Sequence, residues 1–537
     1  MRLIKFLLLT AFISLTVQLN AMPPHPDMVE QYKKNGQLKT LMARVEAIST
    51  KMNMNSPSKS FPSTGVRRVP VLLVNYATPY SASSDFSPSI GNIKKENIPV
   101  YGMVFILMFL LLIIMKKYKV ESSYVLRPLI PVYLSIFVFV ISCGVDSGDD
   151  EDSFPTDPSV YSIILNGDSE ADLSVRKYYQ DMSENNLNLE FDIYGPVKVS
   201  KAWEYYGANS GLDDSHPGEL VSEALRIMVS RYSSVNFSLY DNDGSGDVDS
   251  VIIIHEGRGE ESGGGADTIW SHQWDLASAA YFGDGNGPVN AGNGKTFNIY
   301  TIQPEYTATR GDSSMGVYAH EFGHVLGLPD IYDTSGATYG VGDWSLMASG
   351  SWKGPAANDG TTPAPLLAWE RYKAGGGSWV SVSVPATTND QAIDDIETSK
   401  EVFKIMLSSV AGQNQYLILE GKVQSTPTQW YVPGTGILVS HIHEGVISYF
   451  AASDAVNAGS SRVHGINIIE ADGNDNLWDK TNSGESTDLF KTGDTIPGAI
   501  KYSSTAPGYA LLPAPGTTVS ITDVKVTTVP VSFDYTP

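Results

Sequence analysis

The stretch His320-Glu321-Phe322-Gly323-His324-Val325-Leu326-Gly327-Leu328-Pro329-Asp330 reads H-E-x-x-H, extended to H-E-x-x-H-x-x-G-x-x-D. On a helix, residues four apart stand one above the other, so His320 and His324 can aim two imidazole nitrogens at one metal ion. Glu321 follows one step round the helix, within reach of a water beside that ion. Met315, Tyr318, Phe322 and Val325 recur at spacings of three and four. That rhythm predicts a helix with an apolar stripe turned away from the histidines. Ser313 or Ser314 is placed to cap its start. Gly327 can take a positive φ, so the helix can stop there and the chain turn sharply. The turn brings Asp330 under the metal as third ligand. Three protein ligands and one open position make the catalytic form of a zinc site, not the closed structural form. A bare H-E-x-x-H arises by chance in roughly one chain in a hundred of this length, and the added Gly and Asp make it on the order of a hundredfold rarer.

Downstream stands Trp344-Ser345-Leu346-Met347-Ala348-Ser349-Gly350-Ser351-Trp352. A lone Met in a Gly/Ser-rich turn is ordinarily core filler, but after a zinc motif it resembles the methionine turn that underlies the metal in metzincin proteases. Two departures stand out. Asp330 occupies the place where typical metzincins carry a third His, and Ser349 stands where some place a Tyr after the Met. The run from Gly316 to Trp352, with HEFGHVLGLPDIYD and GVGDWSLMASGSW, resembles the immune inhibitor A family of bacterial secreted metallopeptidases. Weaker matches extend over residues 160–500 and include VIIIHEGRGEE, IWSHQW, GTGILVSHI and IIEADG. The resemblance implies an α+β fold, with a metzincin-like zinc protease catalytic domain (mixed sheet plus active-site helix) followed by an all-β C-terminal domain.

Composition narrows the partners. The chain has 537 residues, 59 acidic against 36 basic, and a net charge of −23. That balance argues against nucleic acid, since phosphate contacts need basic patches. It suits calcium binding and an exported protein. Cys143 is the only cysteine, so no disulfide can form within one chain. Core packing and metal ions must hold the fold.

Taken in order, residues 1–21 read as a signal peptide, with Arg2 and Lys5 ahead of an apolar run from Leu3 to Val17. Residues 22–66 read as a pro-segment with a helix from Met28 to Ile48, as expected of a zymogen. Residues 67–96 begin the catalytic domain, Pro70 to Tyr76 being a buried strand. Residues 97–148 are an apolar insert that does not fit the family. Three readings compete there. Ile98–Met115 and Leu129–Cys143 can form a membrane hairpin around the basic loop at Lys116, Lys117, Lys119 and Arg127. Met115–Cys143 can be a lipoprotein signal with Cys143 as the acylation site. The segment can also be a gene-model artefact. The catalytic domain resumes over 149–378, with helices at Leu173–Met182, Glu219–Tyr232 and Pro365–Lys373. Residues 379–537, rich in Val, Thr, Ser and Gly in alternating runs, read as the β-rich domain.

Two further clusters invite metal. Asp241-Asn242-Asp243-Gly244-Ser245-Gly246-Asp247-Val248-Asp249 alternates carboxylates with glycines, which suits calcium, with Asp241, Asp243, Asp247 and Asp249 as ligands. It is no full EF-hand, because Ile252 stands at the twelfth place. Asp472-Gly473-Asn474-Asp475-Asn476 with Asp488 can bind a second calcium or simply form turns. His441 and His443 share one strand face and read as exposed strand histidines ahead of a metal pair. His255 and His272 stay outside the catalytic set, and Glu305 is a candidate extra ion ligand.

The expected activity is that of an exported, monomeric zinc endopeptidase acting on protein substrates, with zinc on His320, His324 and Asp330, Glu321 as general base and Met347 beneath. The rival is a catalytically silent surface adhesion or binding module carrying a zinc site. An intact Glu321 argues against it, because a scaffold has no need of a general base.

Overall fold

A computed structural model of the chain describes residues 20–52, 61–80, 158–168, 173–211, 213–308, 314–355, 359–385, 388–408, 414–424, 430–460, 463–491, 494, 520–525 and 531–536. Residues 1–86 and 154–537 form one compact unit. The signal reading over residues 1–19, the apolar insert and Cys143 lie outside the described residues. Among the described residues, no helix is long and apolar enough to cross a membrane.

Six strands make the central sheet: β1 (Asn20–Ala21), β2 (Gly65–Asn75), β3 (Leu187–Lys198), β4 (Val251–Arg258), β5 (His272–Asp275) and β6 (Ile299–Tyr306), in the order β1-β5-β6-β4-β2-β3. Strands β3, β2, β4 and β6 run parallel, and β5 is antiparallel to β6. The apolar runs VPVLLV in β2 and VIII in β4 are buried along their length. Continuous burial, rather than alternation, is what parallel strands covered on both faces require. The strand expected from Pro70 to Tyr76 thus sits inside the sheet, between β4 and β3, starting five residues earlier.

Helices cover the sheet. In α1 (Pro26–Lys34) and α2 (Leu38–Met52) the single helix expected over 28–48 is broken at Asn35-Gly36-Gln37. Gly36 takes φ +71° there, a turn that other residues adopt at a cost. Helices α3 (Val175–Met182) and α4 (Pro217–Arg231) lie close to their expected spans, each burying one apolar face. Helix α5 (Met315–Val325) carries the two histidines, and every one of its residues is buried. An amphipathic helix was the expectation; burial all round instead makes it a core element. Ser314 stands at the N-cap without a capping side-chain bond, and the Gly316 N–H goes to the Gly360 carbonyl at 2.8 Å. Gly327, at φ +84°, ends the helix as expected, with the Leu328 N–H returning to the Gly323 carbonyl. Helix α6 (Ala368–Gly375) follows.

The C-terminal part is built on a second sheet, β7 (Ser381–Ser383), β8 (Glu401–Ser408), β9 (Gln415–Lys422), β10 (Gly436–His443) and β11 (Ile466–Ile468), arranged in that order. Helix α7 (Glu444–Phe450) follows β10. Residues 388–393, 520–525 and 531–536 form a separate three-stranded sheet. Alternation along β9 gives the five-stranded sheet two apolar faces. Leu417 and Leu419 join a local cluster with Phe403, Ile437 and Val439. Tyr416 and Ile418, with Leu438 and Ile442, instead join the same core as the central sheet. One face of the C-terminal sheet is therefore welded to the rest of the fold. His441 and His443, expected to be exposed, are both buried. His441 Nε2 lies 3.2 Å from Gln415 Oε1, and His443 caps α7 by accepting the Val446 N–H.

Candidate metal centre and active site

Helix α5 places His320 and His324 one turn apart, and both rings are held from behind. Nδ1 of His320 lies 2.8 Å from the Leu346 carbonyl, and Nδ1 of His324 lies 2.9 Å from the Leu328 carbonyl. With each Nδ1–H donated to a carbonyl, both Nε2 atoms present bare lone pairs. Those atoms stand 3.1 Å apart, and Asp330 Oδ1 lies 3.1 Å from one and 3.6 Å from the other. Two lone pairs and a carboxylate oxygen facing one point, all buried, are a donor set that only a cation reconciles. A Glu321 carboxylate oxygen also lies within 4.8 Å of both histidine nitrogens. The set of two imidazoles and one carboxylate fits zinc in a catalytic coordination.

The electrostatics describe the same vacant charge. Burial pushes the His320 imidazole down to about 4 and His324 well below its ordinary range. Burial pushes the Asp330 carboxyl up to about 8. Glu321 is raised well above a normal carboxylate, first by burial and then by the charges of Asp330 and Glu261. Neither of its buried side-chain oxygens has a hydrogen bond of normal geometry, and the backbone of Met22 is the donor that eases its charged form.

Met347 packs directly under the helix. A Cβ on Gly323 would stand 2.5 Å from Met347 Sδ, so only glycine at the middle of H-E-F-G-H lets the methionine in. The run that carries Met347 also supplies the Leu346 carbonyl to His320 and accepts the Ile331 N–H at 2.9 Å. Helix α5, the turn that carries Met347 and the loop that carries Asp330 are thus one hydrogen-bonded block. Tyr179 of α3 braces it by donating its hydroxyl to the Ala319 carbonyl at 2.6 Å.

Sequence reasoning missed two parts of the site. The first is Asp454, a buried residue at φ +46° whose Oδ1 accepts the Asp330 N–H at 3.1 Å. Asn457 donates to the Ile331 carbonyl, and the Gly459 N–H reaches Asp333. Three residues of the C-terminal part therefore fix the loop that carries Asp330. No short-range pattern marks them.

The second is the N-terminal strand. Asn20 and Ala21 pair antiparallel with Gln273 and His272 on the edge strand β5, and the Met22 N–H continues the ladder to the Ser271 carbonyl. The Ala21 N–H donates to Asp330 Oδ2 at 3.2 Å, and Tyr332 donates its hydroxyl to the Ala21 carbonyl at 2.8 Å. Trp270 and Trp352 donate their indole N–H groups to the Met22 and Pro23 carbonyls. The Ala21–Met22 peptide thus lies across the ligand set. From the same segment, Arg44 of α2 is buried between Asp214 and Glu260, 2.8 Å from the former and in contact with the latter.

The remaining candidates divide. Asp241, Asp243 and Asp249 bring carboxylate oxygens within 4.8 Å of one another. Asp247 is not in that group; it sits on a two-residue strand paired beside Thr296. Lys295 forms an ion pair with Asp241. His255 and His272 are buried structural residues, with Nδ1 at 2.9 Å from the Glu256 carbonyl and 2.7 Å from the Trp270 carbonyl. Glu305 accepts the Gly257 N–H at 3.0 Å.

Comparison with known proteins agrees with the motifs. Residues 159–380 match the immune inhibitor A peptidase M6 catalytic domain. The chain is 35% identical over 257 residues to the pre-pro-metalloprotease PrtV of Vibrio cholerae serotype O1, covering 42% of this chain and 27% of that protein. It is 32% identical over 234 residues to immune inhibitor A of Bacillus thuringiensis subsp. alesti, covering 38% and 33%. The match spans a third or less of the length of either curated relative. The family resemblance read from HEFGHVLGLPDIYD is therefore borne out, and residues 159–380 carry a catalytic domain of the immune inhibitor A, or M6, peptidase family.

Proposed function

We propose that the chain is an exported zinc-dependent endopeptidase that hydrolyses proteins. The observation that carries this is the convergence of His320 Nε2, His324 Nε2 and Asp330 Oδ1 beside the buried carboxylate of Glu321. Zinc held there supplies Lewis acidity to the scissile carbonyl and the attacking water. Glu321 takes the proton from that water and hands it to the leaving amine. Tyr332 donates its hydroxyl to a carbonyl lying where that of Ala21 lies. The edge strand β5 receives substrate as an added antiparallel strand, as it receives Asn20–Ala21. The mixed sheet, the buried helix and the methionine packed under it support a metzincin-like arrangement.

The pro-segment reading follows from the same contacts. Asn20 to Pro23 fill the place of a substrate strand, so this reading moves the start of the pro-segment from Met22 back to Asn20 and the end of the signal peptide ahead of it, and Arg44 pins the segment through Asp214 and Glu260. The chain is then a zymogen, activated when that segment is released. The Vibrio relative is named a pre-pro-metalloprotease. The basic-then-apolar start at residues 1–17 supports export. Calcium at Asp241, Asp243 and Asp249 is supported by Oδ1 of Asp241 and of Asp249, both buried without a hydrogen-bond partner. Hydrolysis of casein by the activated chain, lost in Glu321→Ala while zinc is retained, tests the assignment. A folded, zinc-loaded and processed protein without turnover would favour the binding-module alternative.

A further inference from the structure

A third group of carboxylates lies far along the chain, outside the matched catalytic domain. Glu470, Asp472 and Asp488 bring side-chain oxygens within 4.8 Å of one another. Asp488 is fully buried, and its Oδ1 has no hydrogen-bond partner. Its Oδ2 accepts the Trp344 indole N–H at 2.9 Å and the Glu485 N–H at 3.0 Å. Glu470, also buried, accepts the Asn476 and Leu477 N–H groups. Asp472, at the surface, accepts from Asn474 and Thr487. Among the described residues, no Lys or Arg forms an ion pair with any of the three.

Three converging carboxylates, one with an orphaned buried oxygen and none with a counter-charge, are electrostatically incomplete. A buried carboxylate without a partner costs several kcal/mol by general estimates, and a bound cation removes that cost. The donors are all oxygens, without imidazole or thiolate, which selects a hard cation over zinc. We propose that Glu470, Asp472 and Asp488 form a calcium site that pins the 470–488 segment to the loop leading into the methionine turn. The link is short. Asp488 holds Trp344, which lies three residues before Met347, and Asp343 exchanges hydrogen bonds with Ser483 at 2.6 and 2.7 Å.

The test is a terbium titration of the full chain, with emission sensitised by tryptophan and displaced by calcium. Trp344 in contact with Asp488 makes this site a bright one. Wild type is expected to show a saturable tryptophan-sensitised class that Asp241→Asn leaves in place. Asp472→Asn and Asp488→Asn are expected to weaken that class about tenfold or more and to reduce the calcium-induced rise in Tm. Asp472 is exposed, so its variant decides the matter if Asp488→Asn does not fold. An unchanged terbium class together with an unchanged calcium-induced Tm shift in Asp472→Asn would overturn the proposal.

Discussion

At the scale of single residues, the chemistry rests on which groups are buried without partners. Glu321 is buried with only the Met22 backbone as a donor, whereas His320 and His324 are each fixed through Nδ1. Glu321→Ala is therefore expected to retain zinc and fold while kcat/KM falls about 10²- to 10⁴-fold, the usual weight of a general base. Metal analysis of the purified variant alongside its turnover separates these effects; retained activity would defeat the assignment. Asp454 fixes the backbone of Asp330, the proposed third ligand. Asp454→Ala is expected to lower zinc affinity roughly 10- to 100-fold, the range seen when groups orienting a ligand are removed. Zinc retention during dialysis against a graded chelator measures it. The motif made His320, Glu321 and His324 legible because a helix converts a spacing of four into one face. Asp330 followed from Gly327, whose positive φ ends the helix. Asp454 was illegible because its contact joins residues 124 apart in the chain.

At the scale of elements, helix α5 and the methionine turn act as a pair. Gly323→Ala places a Cβ 2.5 Å from Met347 Sδ and 3.3 Å from the Tyr179 hydroxyl. The sulfur belongs to a flexible side chain, so the helix should survive at a cost of about 1–3 kcal/mol, with the methionine displaced from beneath the ligands. Urea unfolding compared with Met347→Leu reads that cost, and an unchanged midpoint would show that the methionine moves freely. Helices α1 and α2, in the proposed pro-segment, are the second pair. Arg44 bridges Asp214 and Glu260 in a buried setting. Removing one partner of such a pair costs about 3–5 kcal/mol because the remaining charges stay buried. Arg44→Ala is expected to loosen the segment and raise casein hydrolysis by unprocessed protein; equal activity in both would argue against Arg44 as a latch. The composition of residues 22–66 suggested a pro-segment, but nothing in it said that Ala21 would meet Asp330. Strand pairing depends on which edge the sheet leaves open, here β5.

At the scale of the whole molecule, the C-terminal sheet shares a core with the central sheet, so the two are expected to unfold together. The buried histidines of β10 give this a pH signature. Burial, aided by His443, pushes His441 down to about 3, against an unfolded value near 6.5. A depressed folded value means the stabilising neutral form is fully present above about pH 6.5 and is lost as pH falls toward 3. Stability is expected to drop by about 1.4 kcal/mol per pH unit below that point from this residue alone. His441→Gln should flatten the slope of Tm against pH between 6 and 4. An unaltered slope would place the acid sensitivity elsewhere.

By itself, the sequence determined the family resemblance, the buried strands of the central sheet and the helix that carries His320, Glu321 and His324. Each is written at short range, in spacings that α-helix and β-strand geometry translate directly into faces. Only the tertiary structure decided that α5 is buried on every side, that His441 and His443 face inward, and that Asp247 stands outside the carboxylate group nearest it. It alone brought Ala21, Asp330 and Asp454 together, and Trp344 to Asp488. Those contacts join segments more than a hundred residues apart, and packing and sheet order, not local pattern, select such partners.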